Sequence, residues 1–378
     1  MVTEVLFLGG NVKKIIKPLT ITICSMLAFL LLIIATVLGY LTLDEYNPDA
    51  VEKLEVENYG GKTLKTNKAI RIMTWNIGYG ALGDNADFFM DGGQMVNTAT
   101  HERVVYNLDG IVDRIDEINP DILMVQEMDR NSTRSHFVDE YDFIKKESGS
   151  YVAKNQSTFA YNFKVSFVPY PIPPIGKVEG GIATYSSFVI DESERIQLPC
   201  PFSWPLRTGN LKRCLQVMRM PVENSEKELI LINLHLEAYD DGEGKIAQTN
   251  MLKEIMKEEF NKGNYVIAGG DFNQIFSNID TSSYPVLEGN WEAGVIDASD
   301  FGVDFQFLTD VSNPTCRSLD RVYADAQDKS PEAFQYYVID GFIVSSNVEV
   351  QSLRTHNTVF QYSDHNPVSM DVVLLPDA

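Results

Sequence analysis

The chain has 378 residues, of which 44% are apolar and 22% are charged. This composition is close to that of average globular proteins, so it excludes a disordered or fibrous chain. With 31 Lys and Arg against 53 Asp and Glu, the formal net charge is −22. So acidic a surface repels phosphates at long range, which excludes avid, nonspecific binding of nucleic acids.

The first element is an apolar run at 19–43, whose 25 residues include no Asp, Glu, Lys or Arg. It is long enough to cross a bilayer, which takes about 20 apolar residues. Three lysines precede it and acidic residues follow it, which predicts that residues 1–18 stay in the cytoplasm and the rest is extracellular. The alternative is a cleaved signal peptide, which has a shorter apolar core and a small-residue cleavage site. We expect a retained, single-pass anchor in the plasma membrane.

Residues 44–68 are polar, mixed in charge and without strong periodicity, and they are expected to form a stalk. Because residues 1–18 hold three Lys and one Glu and the apolar run is uncharged, residues 44–378 carry a charge of −24. Among the cysteines of this part, Cys200 and Cys214 could pair or remain two free thiols.

Strand and helix patterns alternate from residue 69 onward, which predicts one α/β domain over 69–378. Apolar residues at helical spacing predict helices at 101–118 and 246–260. Short apolar runs bounded by turn residues predict strands at 70–76, 122–126, 181–185, 215–221, 229–236, 265–269, 337–344 and 368–374. Many strands with few helices between them favour packed sheets with helices on the outer faces.

Polar side chains stand where these predicted strands end, which is where ligand sites form in layered α/β folds. Most of them, taken singly, are ordinary turn residues. The set consists of Asn76, Glu127, His235, Asp271, Asn273, Asp340, Asp364 and His365. Its carboxylates and amides are hard oxygen donors that suit Mg²⁺ or Mn²⁺, and no Cys/His cluster accompanies them to favour Zn²⁺.

In this order, and within the local sequences TWN, VQE, NLHL, GDFN, IDGFIVS and SDHNP, the set resembles the endonuclease/exonuclease/phosphatase superfamily, including its membrane-anchored bacterial members. The resemblance implies a DNase I-like, four-layer α/β sandwich in which two packed mixed β-sheets are flanked by helices. It also implies a metal-dependent phosphoric ester hydrolase.

The resemblance assigns roles to single residues. Asn76, Glu127 and Asp364 would hold the metal ion, Mg²⁺ or alternatively Mn²⁺. Asp271 would orient or deprotonate the attacking water, and Asn273 would hold a phosphate oxygen.

Two histidines would face the phosphate from opposite sides. His365 would be held and kept protonated by Asp340, a carboxylate within an apolar run that needs a partner if it is buried. His235 would assist the leaving group.

Features outside these motifs are less specific. Arg213 is the first choice for a substrate-binding phosphate clamp, ahead of Arg207 and Arg317, although surface ion pairs would explain each of them equally well. The insertion at 78–94 lies near the predicted site, and we interpret its aspartates as solvated loop residues. The Pro- and Gly-rich segment 167–181 is expected to be a loop beside the pocket.

The substrate is left open by these residues, since the catalytic set is shared across the superfamily. The charge of −24 and the predicted anchor favour a lipid headgroup or another extracellular phosphodiester or phosphomonoester. An extracellular nuclease is the alternative enzyme, with duplex nucleic acid a possible but less favoured partner. A catalytically idle binding module on the same fold is the alternative of another class. No protein partner is implied.

Overall fold

A computed structural model describes residues 5–58, 60–240 and 242–376. The α-helices are α1 (Val5–Leu43), α2 (His101–Ile118), α3 (Glu140–Glu147) and α4 (Glu243–Asn261). Short 3-10 turns lie at Gly78–Gly80, Phe89–Asp91, Val152–Lys154, Leu206–Gly209 and Ala298–Phe301.

The strands form two large sheets and two small pairs. In chain order they are β1 (Val51–Lys53), β2 (Val56–Glu57), β3 (Ala69–Asn76), β4 (Ile122–Asp129), β5 (Gln156–Val168), β6 (Gly176–Ser186), β7 (Glu192–Gln197), β8 (Cys214–Pro221), β9 (Glu228–His235), β10 (Tyr265–Asp271), β11 (Gln274–Phe276), β12 (Gly294–Ile296), β13 (Phe305–Leu308), β14 (Cys316–Arg317), β15 (Tyr336–Tyr337), β16 (Asp340–Ser345), β17 (Val348–Thr355) and β18 (Val368–Leu374). The first sheet has the order β17-β18-β3-β4-β6-β5-β2, and the second has the order β1-β7-β8-β9-β10-β16-β13. Strands β11 and β12 pair, as do β14 and β15.

The sheets pack face to face, and helices cover their outer faces. Side chains such as Ile72 and Ile267 fill the layer between the sheets. Ile111 on α2 and Ile144 on α3 pack against the first sheet, while Leu252 on α4 packs against the second. These layers confirm the predicted α/β sandwich of two mixed sheets flanked by helices.

Helix α1 lies outside this sandwich. Its part from Ile16 to Leu43 has 28 residues with a mean hydropathy of 2.8, and it is long and apolar enough to cross a membrane. The same length and composition also occur in signal sequences, so the anchor stays a prediction.

Residues 44–68 are not a free stalk, which corrects the sequence-based expectation. The segment supplies the edge strands β1 and β2 of the two large sheets, through pairing with β7 and β5. Leu64 is fully buried between the sheets. The polar side chains Glu52 and Glu57 on these strands are half-buried, and strand pairing together with Leu64 makes the segment part of the folded domain.

Two other predictions are corrected. Only residues 169–175 of the segment 167–181 form a loop, because β5 extends to Val168 and β6 begins at Gly176. The predicted strand 337–344 is divided between β15 and β16, which pair with different partners. Cys200 and Cys214 are free thiols.

Candidate active site

The predicted site residues meet at one edge of the sandwich. Strands β3 and β4 are parallel, as are β9 and β10. Asn76 at the end of β3 hydrogen-bonds Asp271 at the end of β10, so the two pairs end at the same edge. In the second sheet, Asp271 at the end of β10 is in register with His235 on β9 and with Asp340 on β16. The sheet register therefore sets the spacing of these three side chains.

Glu127 reaches the site through an irregularity in β4. The pairing of β4 with β6 shifts register between Val125 and Met128, and Glu127 has a φ of 51°. A bulge of this kind turns a side chain away from the alternation of the strand. The Asn76 amide group donates hydrogen bonds to Glu127 Oε1 (3.2 Å) and to Asp271 Oδ2 (3.0 Å). Asn76 thus connects the carboxylates of the two sheets.

His365 and Asp340 form the predicted pair. His365 Nδ1 is 2.9 Å from Asp340 Oδ2, and His365 Nε2 is 3.7 Å from Asp271 Oδ2. Burial lowers the pKa of His365, but its interactions with Asp340 and with the neighbouring Cys316 and Asp271 together outweigh burial, and the pKa lies well above its usual range. His365 is therefore an imidazolium near neutral pH.

His235 lies on the other side of Asp271 and differs in charge. Its Nε2 is 3.4 Å from Asp271 Oδ2 and 3.9 Å from Glu127 Oε1. Burial, together with the nearby Arg213 guanidinium, lowers the pKa of His235 well below its usual range. The site therefore pairs a charged imidazolium with a neutral imidazole.

Two carboxylates of the site have raised pKa values. Burial and the nearby Glu127 raise the pKa of Asp364 to about 7, against the effect of His365. Burial and the neighbouring Asp340 raise the pKa of Asp271 to about 6. A divalent cation would relieve this repulsion, and the oxygen donors are those that Mg²⁺ and Mn²⁺ prefer, so the residues fit a hard metal ion.

Cys316 lies close to Asp364 and His365, close enough for the three to form a ligand group. Asp271, Asp340 and His365 form a second such group. His365 is protonated and already bonded to Asp340, so it is a poor ligand in either group. Glu127 belongs to neither group, and its assignment with Asp364 as the oxygen ligands of a metal ion stays a prediction.

Asn273 is held by its backbone conformation. Its φ is 51°, its backbone N–H donates to Asp271 Oδ1 (2.9 Å), and its amide Nδ2 donates to the Leu236 carbonyl (2.9 Å). An amide nitrogen carries two hydrogens, and the Leu236 bond uses one of them. That the other binds a phosphate oxygen stays a prediction.

The three candidate arginine clamps have different positions. Arg213 lines the cleft but forms an ion pair with Glu237 (3.2 Å). Arg317 also lines the cleft, and it is buried with its guanidinium on backbone carbonyls such as that of Gly83. Arg207 pairs with Glu45 (3.2 Å) and does not line the catalytic cleft, which removes it as a clamp.

Sequence reasoning missed Arg134, which also lines the cleft. Its guanidinium lies 3.7 Å from the ring centroid of Tyr79, and it forms two hydrogen bonds of 2.9 Å with the buried Asp129. Nothing in the local sequence marks residues 79 and 134 as neighbours, since only the tertiary fold brings them together.

The prediction that the aspartates of the 78–94 insertion are solvated loop residues is corrected by the structure, because each of them has a protein partner. Asp84 pairs with Arg103 (2.5 Å), and Asp87 Oδ1 accepts hydrogen bonds from the backbone N–H groups of Gln94 and Met95. Asp91 accepts a hydrogen bond from the Tyr239 hydroxyl (2.9 Å) across the cleft, and burial raises its pKa to about 6. The insertion therefore forms one wall of the cleft.

The cleft has a volume of about 200 Å³ and extends well beyond the catalytic residues. One end holds the carboxylates and histidines. The other end is lined by Phe163, Ile175, Val178 and Leu211, which belong to one apolar cluster, and by Gly209 and Asn210 of the adjoining chain.

The sequence model of the Endonuclease/Exonuclease/phosphatase family matches residues 73–365, which include every predicted site residue. The chain belongs to this family. Its members are metal-dependent phosphoric ester hydrolases, so the chain is an enzyme of this class. No match was found among curated proteins.

Solved structures of similar fold include an endonuclease/exonuclease/phosphatase from Beutenbergia cavernae DSM 12333, at 16% identity and a TM-score of 0.52, over 82% of this chain and 72% of that chain. A Bacteroides vulgatus endonuclease/exonuclease/phosphatase is 16% identical with a TM-score of 0.49, over 82% and 100% of the two chains. The human Nocturnin catalytic domain is 18% identical with a TM-score of 0.47, over 84% and 97%. The first of these similarities supports the DNase I-like fold.

Proposed function

We propose that this chain is a membrane-anchored, Mg²⁺-dependent phosphoesterase that hydrolyses a phosphodiester or phosphomonoester outside the cytoplasm. One observation carries the proposal: the Asp271 carboxylate lies 3.4 Å from His235 Nε2 and 3.7 Å from His365 Nε2, two histidines whose pKa values are shifted in opposite directions. A binding module has no need for this distribution of charge.

Glu127 and Asp364 would hold the metal ion, and Asn76 would fix the orientation of Glu127. When bound, the ion would neutralise charge on the phosphate and orient it for attack. The Asn76 amide nitrogen donates to both carboxylates, so in this orientation Asn76 positions them. Asn76 would bind the metal ion itself only with its amide group rotated, so that the amide oxygen faces the ion.

The chain's own residues would move the protons. Asp271, whose raised pKa suits a general base, takes a proton from water as the water oxygen forms its bond to phosphorus. The bond between phosphorus and the ester oxygen breaks, and the leaving oxygen takes a proton through solvent or a neighbouring acid. The His365 imidazolium and the second amide hydrogen of Asn273 stabilise the charge that develops on the phosphate oxygens.

The anchor and its orientation are part of the proposal. Lys13, Lys14 and Lys17 precede the apolar helix, which favours a cytoplasmic amino end. Protease added to intact cells should therefore remove the domain that follows α1. Protection until the membrane is opened would contradict this orientation.

The reaction is tested with the full chain reconstituted in neutral phospholipid vesicles, in a buffer that contains Mg²⁺. The substrates are bis-p-nitrophenyl phosphate, p-nitrophenyl phosphate, sphingomyelin in the vesicle and plasmid DNA, with Asp271→Asn as the inactive control. Hydrolysis of at least one of the first three substrates by the wild type, but not by Asp271→Asn, supports the proposal. Turnover restricted to DNA would support the nuclease alternative, and no turnover of any substrate would favour the binding module.

A further inference from the structure

Helix α1 joins the catalytic domain without a flexible connection. Asp44, the residue after the helix, accepts hydrogen bonds from the backbone N–H groups of Ser166 (2.8 Å) and Phe167 (3.3 Å). The buried side chain of Glu45 forms an ion pair with Lys212 (3.0 Å). If α1 spans the bilayer, these contacts hold the domain directly at the surface where the helix emerges.

Two loops beside the end of α1 expose apolar side chains. We call residues 169–175 and 202–209 the membrane loops. Tyr170 and Ile172 lie on the first loop, Trp204 and Leu206 on the second, and all four are exposed, Ile172 to 95%. The Trp204 indole N–H donates a hydrogen bond (2.9 Å) to the hydroxyl of Thr42, which lies within the apolar part of α1. The loops are thus at the level of the helix end.

The membrane loops also form the apolar end of the catalytic cleft. Ile175 and Gly209, one from each loop, line the cleft that holds Asp271 and His365. The loops pack closely, because a Cβ atom at Gly209 would lie 2.0 Å from the Tyr170 hydroxyl. The cleft therefore leads from the catalytic carboxylates to the surface beside α1.

An apolar cluster continues from the cleft wall toward the helix. Phe163 and Val178, which line the cleft, pack with Leu211 and with Tyr46, three residues after α1. Exposed apolar patches rimmed by polar residues mark interaction sites, and aromatic side chains beside a membrane helix are typical of the bilayer interface.

We propose that the membrane loops insert into the leaflet from which α1 emerges, and that the cleft receives the phosphorylated headgroup of a lipid that stays in this bilayer. This inference rests on the proposed phosphoesterase function and its anchor. The lipid phosphate reaches Asp271 and His365, and the cleft end formed by Phe163 and Ile175 faces the bilayer, where the apolar part of the lipid stays.

The charge of the domain decides how it would dock. Residues 44–378 carry a charge of −24, and both Arg207 on the second membrane loop and Lys212, which follows this loop, are paired with Glu45. An anionic lipid surface would repel such a domain, so docking depends on apolar insertion. We therefore expect activity in neutral vesicles without any requirement for anionic lipids.

The test compares two substrates in the same neutral vesicles with the full chain. The variant carries Ile172→Asp and Leu206→Asp, and the matched control carries Val303→Asp and Val286→Asp, two exposed valines outside the loops and the cleft. We expect the loop variant to hydrolyse sphingomyelin at least tenfold more slowly than the wild type, with bis-p-nitrophenyl phosphate hydrolysis unchanged within twofold. The control should match the wild type on both substrates.

Equal lipid hydrolysis by the loop variant and the wild type would overturn the inference, and so would equal losses on both substrates. A second measurement does not depend on catalysis: quenching of Trp204 fluorescence by lipids brominated near the headgroup, with Trp204→Phe as control. We expect quenching that is lost in Trp204→Phe. Unquenched Trp204 would overturn the docking, whereas quenching without hydrolysis of any ester would overturn only the proposed function.

Discussion

The two ends of the catalytic cleft are built in different ways. At the polar end, Asp271 and Asp340 take their places from the register of neighbouring strands, so that Asp271 lies close to both histidines and Asp340 lies close to His365. At the apolar end, Ile175 and Leu211 come from loops that join strands and pack beside α1. The chemistry is therefore fixed by the sheets, while access to it depends on loops and on the segment after α1.

The largest expected effect lies at the polar end. Asp271→Asn removes the proton acceptor and the charge between the two histidines, so kcat/KM for bis-p-nitrophenyl phosphate should fall by about a thousandfold or more. The exposed loop residue Asp280 offers a matched control, since Asp280→Asn should leave the rate unchanged. A loss below tenfold in a folded Asp271→Asn protein would show that this carboxylate is not the base.

Asp340 acts on the reaction through His365, so its loss should cost less, about a hundredfold in kcat. Burial lowers the pKa of His365 and Asp340 raises it, so Asp340→Asn should lower that pKa. The imidazolium would then be lost at a lower pH, and the alkaline limb of the pH–rate profile should move to lower pH.

A double-mutant cycle with His365→Ala completes this test. Because the two residues act as a unit, the double variant should be hardly slower than His365→Ala alone. Independent, multiplying losses, or an unshifted alkaline limb, would make Asp340 a purely structural carboxylate.

At the apolar end, the account depends on residues 44–68 being part of the domain. Leu64 is fully buried between the sheets, so Leu64→Ala should lower the free energy of unfolding by about 2 kcal/mol or more. Val51 on β1 is exposed, and Val51→Ala should change this free energy by less than about 0.5 kcal/mol. Urea unfolding measures the free energy of unfolding of both variants. Equal, small changes in the two variants would show that residues 44–68 are a stalk after all.

The smallest expected effect lies behind the polar end, at Glu140. This fully buried carboxylate accepts a hydrogen bond from the Asp129 N–H (2.8 Å), and burial raises its pKa well above the usual range. The folded state then holds a proton that the unfolded state loses near pH 4.5, so stability falls as the pH rises above that value. Glu140→Gln does not titrate, and we expect it to gain about 1 kcal/mol or more over the wild type between pH 5 and pH 8. Urea unfolding at pH 5 and pH 8 measures the free energy of unfolding of both proteins. If the difference between Glu140→Gln and the wild type is the same at both pH values, Glu140 is ionised in the folded protein.

Much of the polar end could be predicted from the sequence, because each residue there follows or interrupts an apolar strand. Asp271 and His235 end β10 and β9, and parallel strands bring their ends together. The sequence also predicts the pairing of Asp340 with His365, and in the structure Asp340 Oδ2 lies 2.9 Å from His365 Nδ1. The roles of these residues stay predictions.

The apolar end and its surroundings could not be predicted in this way. Short edge strands such as β1 carry too few residues to show the alternation of a strand. Without that signal, the polar composition of residues 44–68 indicated a stalk. The contact of Trp204 with Thr42 joins residues far apart in the chain, and so does that of Arg134 with Tyr79. Such contacts depend on how loops pack in three dimensions, which local sequence patterns do not contain.

The most direct test of the central claim is the metal dependence of hydrolysis by the full chain. After treatment with EDTA, wild-type activity on bis-p-nitrophenyl phosphate should be lost, and Mg²⁺ should restore it. Glu127→Gln keeps the shape of the ligand without its charge, so it should need a higher Mg²⁺ concentration and recover only part of the activity. Activity that survives EDTA, or a Glu127→Gln protein with the Mg²⁺ response of the wild type, would contradict the assignment of these carboxylates to a catalytic metal site.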